Sequence, residues 1–122
     1  MRRKLILFTD LDGSLLDHQG YSCEGARSAL ERIRDLSVPL VFVTSKTRAE
    51  VLRLQGDMDI REPFISENGG GLFFPPGYRN FRIPGGVEQD GRILIRLGRP
   101  YSEIRRFVEE RKTRFGIRGV GD

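Results

Sequence analysis

Two aspartates one residue apart, Asp10 and Asp12, follow the short apolar run Leu5 to Phe8 and lead into Gly13 and Ser14. In near-extended chain, side chains two apart face the same way, so both carboxylates aim at one spot while Leu11 points back. A carboxylate pair so placed can hold a divalent cation and divide the work of attack on phosphorus and proton transfer. Gly13 lets the backbone approach a ligand closely, and the N–H groups of such a turn can form an anion nest. Two more polar clusters follow apolar runs. Thr44, Ser45 and Lys46 stand directly before Thr47-Arg48-Ala49-Glu50, a capping-box pattern. Hydroxyls, an ammonium and a helix N-terminus are thereby gathered where a phosphate needs them. Ser66, Glu67 and Asn68 precede the triplet Gly69, Gly70, Gly71. Each cluster has a plainer reading: an Asp-x-Asp as a solvated turn, Thr44 and Ser45 as caps, Lys46 as a surface lysine, Asn68-Gly69 as hairpin chemistry. Three of them, each at the end of an apolar run, are more specific than any one. His18 is expected to be an exposed loop residue, and Cys23 has no histidine partner to activate it.

These clusters need elements that present them on one edge. Lys4 to Thr9 and Leu40 to Val43 are short, nearly continuous apolar runs, as in strands buried on both faces of a parallel sheet. From Ser22, an N-cap candidate, Ala26, Ala29, Leu30, Ile33 and Leu36 recur at helical spacing, and Pro39 closes the segment. Thr47 opens a second, shorter helix through Leu54, and Phe64 to Ser66 reads as a third strand. The order β-α-β-α-β with right-handed crossovers predicts part of a doubly wound parallel α/β sheet, and ligands bind at the carboxyl ends of such strands. After Ser66 the pattern changes to a glycine turn and a β-hairpin ending at Pro75-Pro76-Gly77. Strand-like pieces at Phe81 to Ile83 and Ile93 to Leu97 and a helix from Ser102 to Arg114 follow. This reads as the start of an α+β unit, with residues 1–84 as the core and 85–122 as the beginning of a second part.

Composition narrows the classes. The 122 residues are 31% charged and 38% hydrophobic, one domain's worth of chain with apolar clusters that argue against disorder. No apolar run approaches the roughly 20 residues needed to cross a bilayer, so no membrane span is expected. Arg2, Arg3 and Lys4 precede a run too short for a signal peptide, and Cys23 is the single cysteine, which together suggest a reducing, cytoplasmic setting. Residues 1–77 carry ten basic and eleven acidic side chains, whereas residues 78–122 carry eleven basic and six acidic. The basic C-terminal third comes without a nucleic-acid-binding signature, so it reads as a solvated arginine face or an attractor of a small anion.

The run Phe8-Thr9-Asp10-Leu11-Asp12-Gly13-Ser14-Leu15-Leu16-Asp17 resembles the first motif of haloacid dehalogenase superfamily phosphatases, with Ser14 where threonine is usual. Thr44 falls at the second motif. Thr44-Ser45-Lys46-Thr47-Arg48 and Pro63-Phe64-Ile65-Ser66-Glu67-Asn68-Gly69-Gly70-Gly71 are similar to the mannosyl-3-phosphoglycerate phosphatase branch. Leu97-Gly98-Arg99-Pro100-Tyr101 and Ile117-Arg118-Gly119-Val120-Gly121-Asp122 resemble the start of its cap. The resemblance implies Mg²⁺-dependent hydrolysis of a sugar-acid phosphomonoester, with Asp10 as nucleophile and Asp12 as general acid and base. It also implies that Asp10 and Asp12 supply part of the metal shell. Gly13, Ser14, Thr44, Ser45, Lys46, Arg48, Glu67, Asn68 and Gly69 would lie around the phosphate and substrate.

The family's third and fourth motifs, a lysine and further acidic metal ligands, lie beyond the cap. The resemblance therefore implies that this chain alone holds Mg²⁺ weakly and is weakly active or inactive. It implies too that the edge of residues 4–9 stays uncovered, inviting self-association or a partner chain. The alternatives are an inactive truncated or split module, another sugar phosphatase of the sucrose-phosphate phosphatase kind, and, less favoured, an Asp-x-Asp glycosyltransferase using a nucleotide sugar.

Overall fold

The computed structural model describes residues 4–19 and 22–119, so Val120, Gly121 and Asp122 of the cap-like string lie outside the described residues. Strand β1 (Leu7–Thr9) is the paired part of the first apolar run, and β2 (Leu40–Val43) and β3 (Phe64–Ser66) follow as expected. Leu7 pairs with Leu40 and Thr9 with Phe42, and Phe42 in turn pairs with Phe64, all in parallel register. Strand β4 (Gly71–Phe74) then runs back antiparallel to β3, and β6 (Arg92–Arg96) antiparallel to β4. Strand β5 (Val87–Gln89) closes the edge, in the order β1-β2-β3-β4-β6-β5.

The strand expected at Phe81 to Ile83 does not form. Strand β4 already has β3 on one edge and β6 on the other, so that segment finds no edge to pair with. Phe81 instead turns its ring edge-on to Tyr78 at 5.8 Å. The extended segment is Val87–Gln89, directly before the Asp90-Gly91 turn that folds it onto β6.

Helix α1 (Arg27–Asp35) is entered through a 3₁₀ turn at Glu24–Ala26, where the Ser22 hydroxyl accepts from the Glu24 N–H at 3.2 Å. Helix α2 (Arg48–Asp57) has the expected capping box: the Glu50 N–H donates to Thr47 Oγ1 at 3.4 Å, and the Thr47 N–H donates to Glu50 Oε2 at 2.8 Å. The Thr47 N–H and then its hydroxyl hold the Glu50 carboxyl below the usual carboxylate range. Leu30 and Ile33 of α1 and Val51 of α2 pack on Leu40, Phe42, Phe64, Phe73 and Leu94. Phe42 and Phe64 are 0% and 1% exposed, and the Phe64 and Phe73 rings stack at 4.9 Å. Helix α3 (Tyr101–Phe115) buries none of its residues.

Both packed helices lie on one face of the sheet. The strands advance in one direction from β1 to β3, and right-handed crossovers in one direction put every helix on the same side. At the end of the sheet away from the aspartates, Tyr78 donates its hydroxyl to Glu62 Oε2 at 2.5 Å, and Glu62 also accepts the Leu40 N–H at 3.4 Å. Burial, and next the Glu62 carboxylate, push the Tyr78 phenol from 10.0 up to about 12.

Two outcomes follow from this packing. Phe64→Ala should destabilise the fold by about 3–5 kcal/mol in urea titration, because the ring and its stack are lost from a closed core. Because the folded state holds the Tyr78 proton more tightly than the unfolded chain, its contribution is complete below pH 10 and is lost as pH rises towards 12. Alkaline unfolding followed by circular dichroism should therefore be less steep over that window in Tyr78→Phe than in the parent.

Candidate active site

Strand β1 delivers Asp10 at its carboxyl end and then enters a tight loop. The Leu16 and Ser14 N–H groups donate to the Leu11 carbonyl at 2.8 and 3.2 Å, and the Gly13 N–H donates to the Leu16 carbonyl at 2.8 Å. Leu11 and Leu16, 0% and 2% exposed, pin the two sides of the loop into the core. Asp10, Asp12, Gly13 and Ser14 are left facing solvent. The alternation anticipated for Asp10, Leu11 and Asp12 is thus realised, with leucine as the anchor. Gly13 has φ +75°, and a Cβ there would lie 2.4 Å from Cε1 of His18. His18 is exposed, as expected, but its ring lies directly over the residue that follows Asp12, a contact that no sequence spacing announced.

The second and third strand ends are tied to each other through the backbone. The Asn68 N–H donates to the Thr44 carbonyl at 3.1 Å, and the Glu67 N–H donates to the Lys46 carbonyl at 3.0 Å. Glu67 and Asn68 adopt φ 51° and 54°, left-handed values that L side chains seldom take, and Gly69 continues at 96°. Thr44 is buried, and its hydroxyl oxygen accepts the Lys46 N–H at 3.1 Å. Lys46 reaches across to the first strand end, with Nζ 3.2 Å from Asp12 Oδ1. Asp12, Thr44, Lys46, Glu67 and Asn68 are therefore joined by direct contacts, with Asp10 two positions before Asp12 and Ser45 exposed between Thr44 and Lys46.

Arg48 is not drawn into this cluster. Its guanidinium lies 5.5 Å from the centre of the Phe73 ring and 3.0 Å from Asp90 Oδ2. Among the described residues, Arg48 Nε and Ser66 Oγ are buried without a hydrogen-bond partner. Ser66, the first polar residue of its strand end, is fully buried beside the core, and only Glu67 onward faces the site. A further contact escaped the sequence reading altogether: the Leu97 and Gly98 N–H groups both donate to the Gly70 carbonyl, at 3.0 and 2.9 Å. A Cβ on Gly98 would sit 3.3 Å from Gly70 Cα, so the exit of β6 is seated against the glycine turn of the site. Glycine at 98 was the available signal, but it acquires meaning only once the β4–β6 register is known.

The α/β sheet thus gathers paired aspartates at the end of its first strand and hydroxyl, ammonium and amide groups at the next two on the edge where such sheets bind ligands. The chain belongs to the haloacid dehalogenase-like hydrolase family, whose profile matches residues 7–73. It is 51% identical over 119 residues to a glucosyl-3-phosphoglycerate/mannosyl-3-phosphoglycerate phosphatase of Persephonella marina, a match covering 97% of this chain and 44% of that protein. A mannosyl-3-phosphoglycerate phosphatase of Pyrococcus horikoshii is 32% identical over 96% of this chain and 47% of its own length. The chain thus spans less than half the length of these relatives. Among solved structures, a hypothetical protein of Geobacillus kaustophilus superposes with TM-score 0.62 at 22% identity, over 90% of this chain and 37% of the other. A haloacid dehalogenase-like hydrolase of B. subtilis does so with TM-score 0.59 at 19% identity, over 90% and 34%. Both share the fold. Among the described residues, no helix is long and apolar enough to cross a membrane.

The left-handed backbone at Gly13 and the His18 ring above it make separable contributions. Gly13→Ala should lose stability in thermal unfolding, with about 1–2 kcal/mol from the left-handed conformation alone. Adding His18→Ala should recover only the part due to the steric clash; full recovery in the double variant would show that the backbone conformation costs nothing.

Proposed function

We propose that this chain carries the nucleophile and phosphate-gathering part of a phosphomonoester hydrolase for a sugar-acid phosphate, mannosyl-3-phosphoglycerate first among the candidates. The observation that carries the reading is the clamp of three strand ends, Asp12 to Lys46 and Thr44–Lys46 to Glu67–Asn68, with Asp10 beside it. The relatives at 51% and 32% identity, both mannosyl-3-phosphoglycerate phosphatases by name, support the substrate class.

In this reading an Asp10 carboxylate oxygen attacks phosphorus and the bond from phosphorus to the sugar-acid oxygen breaks. Asp12, in its acid form, gives the departing oxygen a proton. Water then attacks the aspartyl-phosphate, Asp12 takes the water proton, and phosphate leaves with Asp10 restored. Thr44 Oγ1 and Lys46 Nζ hold phosphoryl oxygens, and Gly13 and Ser14 border the same spot, their N–H groups being taken up by the Leu16 and Leu11 carbonyls of the loop. Ser45, Glu67, Asn68 and Gly69 border the sugar. Arg48 joins them only if its guanidinium leaves Asp90. Such catalysis rests mainly on positioning and charge neutralisation.

The Asp10 carboxylate and the Asp12 carbonyl are hard oxygen donors of the kind Mg²⁺ takes, and when bound the ion would offset charge on the phosphoryl group. They fit in kind but not in number. Mg²⁺ takes near-octahedral oxygen coordination, and the described residues hold no cluster of three or more metal-ligating side chains. We assign residues 1–84 to the core and the start of the cap to 85–122, with β5 and β6 continuing the core sheet into it, and we place the chain in the cytoplasm. A second reading, an inactive module that assembles with another polypeptide, is favoured by the uncovered sheet face beside β1.

The purified chain with Mg²⁺ should release phosphate from mannosyl-3-phosphoglycerate slowly or not at all. Any release should vanish in Asp10→Asn and fall by about 10²–10⁴ in Asp12→Ala. Turnover untouched by Asp10→Asn, measured as phosphate release, would remove Asp10 from the role of nucleophile.

A further inference from the structure

Arg48 sits next to the strand-end cluster but is turned away from it. It follows Lys46 by two positions and opens helix α2 directly after the Thr47 cap, so its Cα is at most about 7.6 Å from that of Lys46. Its guanidinium nevertheless lies 5.5 Å from the centre of the Phe73 ring and 3.0 Å from Asp90 Oδ2. Two features make this a loosely held seat. Arg48 Nε is buried without a hydrogen-bond partner, which leaves the desolvation of that group uncompensated. The Asp90 side chain is 75% exposed, and ion pairs with so exposed a partner contribute little.

The hairpin decides where Asp90 stands. Gln89 of β5 pairs with Arg92 of β6, and Asp90 and Gly91 between them take φ 51° and 74°, the left-handed values of a tight hairpin turn. This turn carries Asp90 to the start of α2 from 42 positions away in the chain. What it presents to Arg48 is a carboxylate, and the guanidinium fork is matched to carboxylates in general rather than to this one. Thr44 and Lys46 already gather a hydroxyl and an ammonium for a phosphate. A sugar-acid phosphate brings a carboxylate as well, and Arg48, the next cation along the chain, is at present paired with a group of that same kind.

We infer that Asp90 is a positioning residue that occupies Arg48 in the free chain in place of a substrate carboxylate, and that Arg48 passes from Asp90 to that carboxylate when a phosphorylated acid binds. The inference rests on the reading of the strand ends as a phosphate site, and adds to it a competition between two carboxylates for one guanidinium. Such competition lowers apparent affinity in proportion to the fraction of molecules whose arginine is available. It also sets specificity, because a phosphate ester without a carboxylate has nothing to exchange for Asp90.

The test is calorimetric titration of the 122-residue chain with 3-phosphoglycerate and with glycerol 3-phosphate, which lacks the carboxylate. Asp90→Asn should bind 3-phosphoglycerate about three- to tenfold more tightly than the parent and glycerol 3-phosphate no more tightly. Adding Arg48→Gln should abolish the gain. Asparagine before glycine suits the same turn, and circular dichroism checks that each variant is folded. Glu88→Gln removes the same charge from an exposed position of the same hairpin and should leave both affinities at the parent's values, which separates the exchange from a general gain in positive charge. In ¹⁵N spectra the Arg48 Nε–H signal, identified by its loss in Arg48→Gln, should shift in Asp90→Asn and, in the parent, on addition of 3-phosphoglycerate. Affinity for 3-phosphoglycerate that is unchanged, weaker or immeasurable in Asp90→Asn would overturn the inference. So would a gain shared by glycerol 3-phosphate or by Glu88→Gln, or one that survives Arg48→Gln. If the amides of Thr44 to Lys46 respond to both probes while the Arg48 signal stays fixed, the exchange is overturned and the phosphate-site reading stands.

Discussion

Burial of Phe42 and Phe64 between the sheet and helices α1 and α2 is the constraint from which the rest of the structure follows. These two rings, with Val51 above them, fix the separation and register of the three parallel strands, and register decides which residues emerge at the carboxyl ends. A one-residue slip of β2 against β3 would turn Phe42 outward and carry Thr44 and Lys46 away from Glu67 and Asn68. The chemistry at the strand ends is thus held by apolar packing one turn below it, where no functional group is present. The capping box at Thr47 and Glu50 extends the same control, since it starts α2 immediately after Lys46 and leaves that lysine free of helical geometry to reach Asp12.

Above the core, the site is assembled from backbone conformations that the chain would not adopt unaided. Gly13, Glu67, Asn68 and Gly69 all have positive φ, and Glu67 and Asn68 do so without the freedom of glycine. Their N–H groups are nevertheless satisfied, by the carbonyls of Lys46 and Thr44, so the strained turn is held by the neighbouring strand end rather than by itself. This reciprocal arrangement brings the polar groups of the second and third strand ends into one edge. The same turn, through Gly70, receives Leu97 and Gly98, and links the site physically to the segment that leads into α3.

Membership of the haloacid dehalogenase-like hydrolase family agrees with this edge. One face of the sheet is a closed core and the other is open. The open face includes Phe8 of β1, the strand whose end leads into both aspartates.

Local chemistry was legible residue by residue. Apolar runs at Leu40 to Val43 and Phe64 to Ser66, the Thr47 capping box and the Asp10-x-Asp12 pair each carry their signal within a few residues, because propensity, capping and alternation act over that range. The sequence by itself therefore determined the β-α-β-α-β order, the edge on which the polar clusters fall and the family. It could not determine that Phe81 to Ile83 would lose its place to β5, since that depends on which edges of β4 are already taken. Nor could it show that Arg48 would turn to Phe73 and Asp90, that His18 would lie over Gly13, or that Gly98 would seat on Gly70. Those pairings join residues from 5 to 42 positions apart, and contacts of that kind exist only after the sheet has chosen its register. Only the tertiary structure decided which polar groups meet, because hydrogen bonds and steric contacts are read in space while sequence patterns are read along the chain.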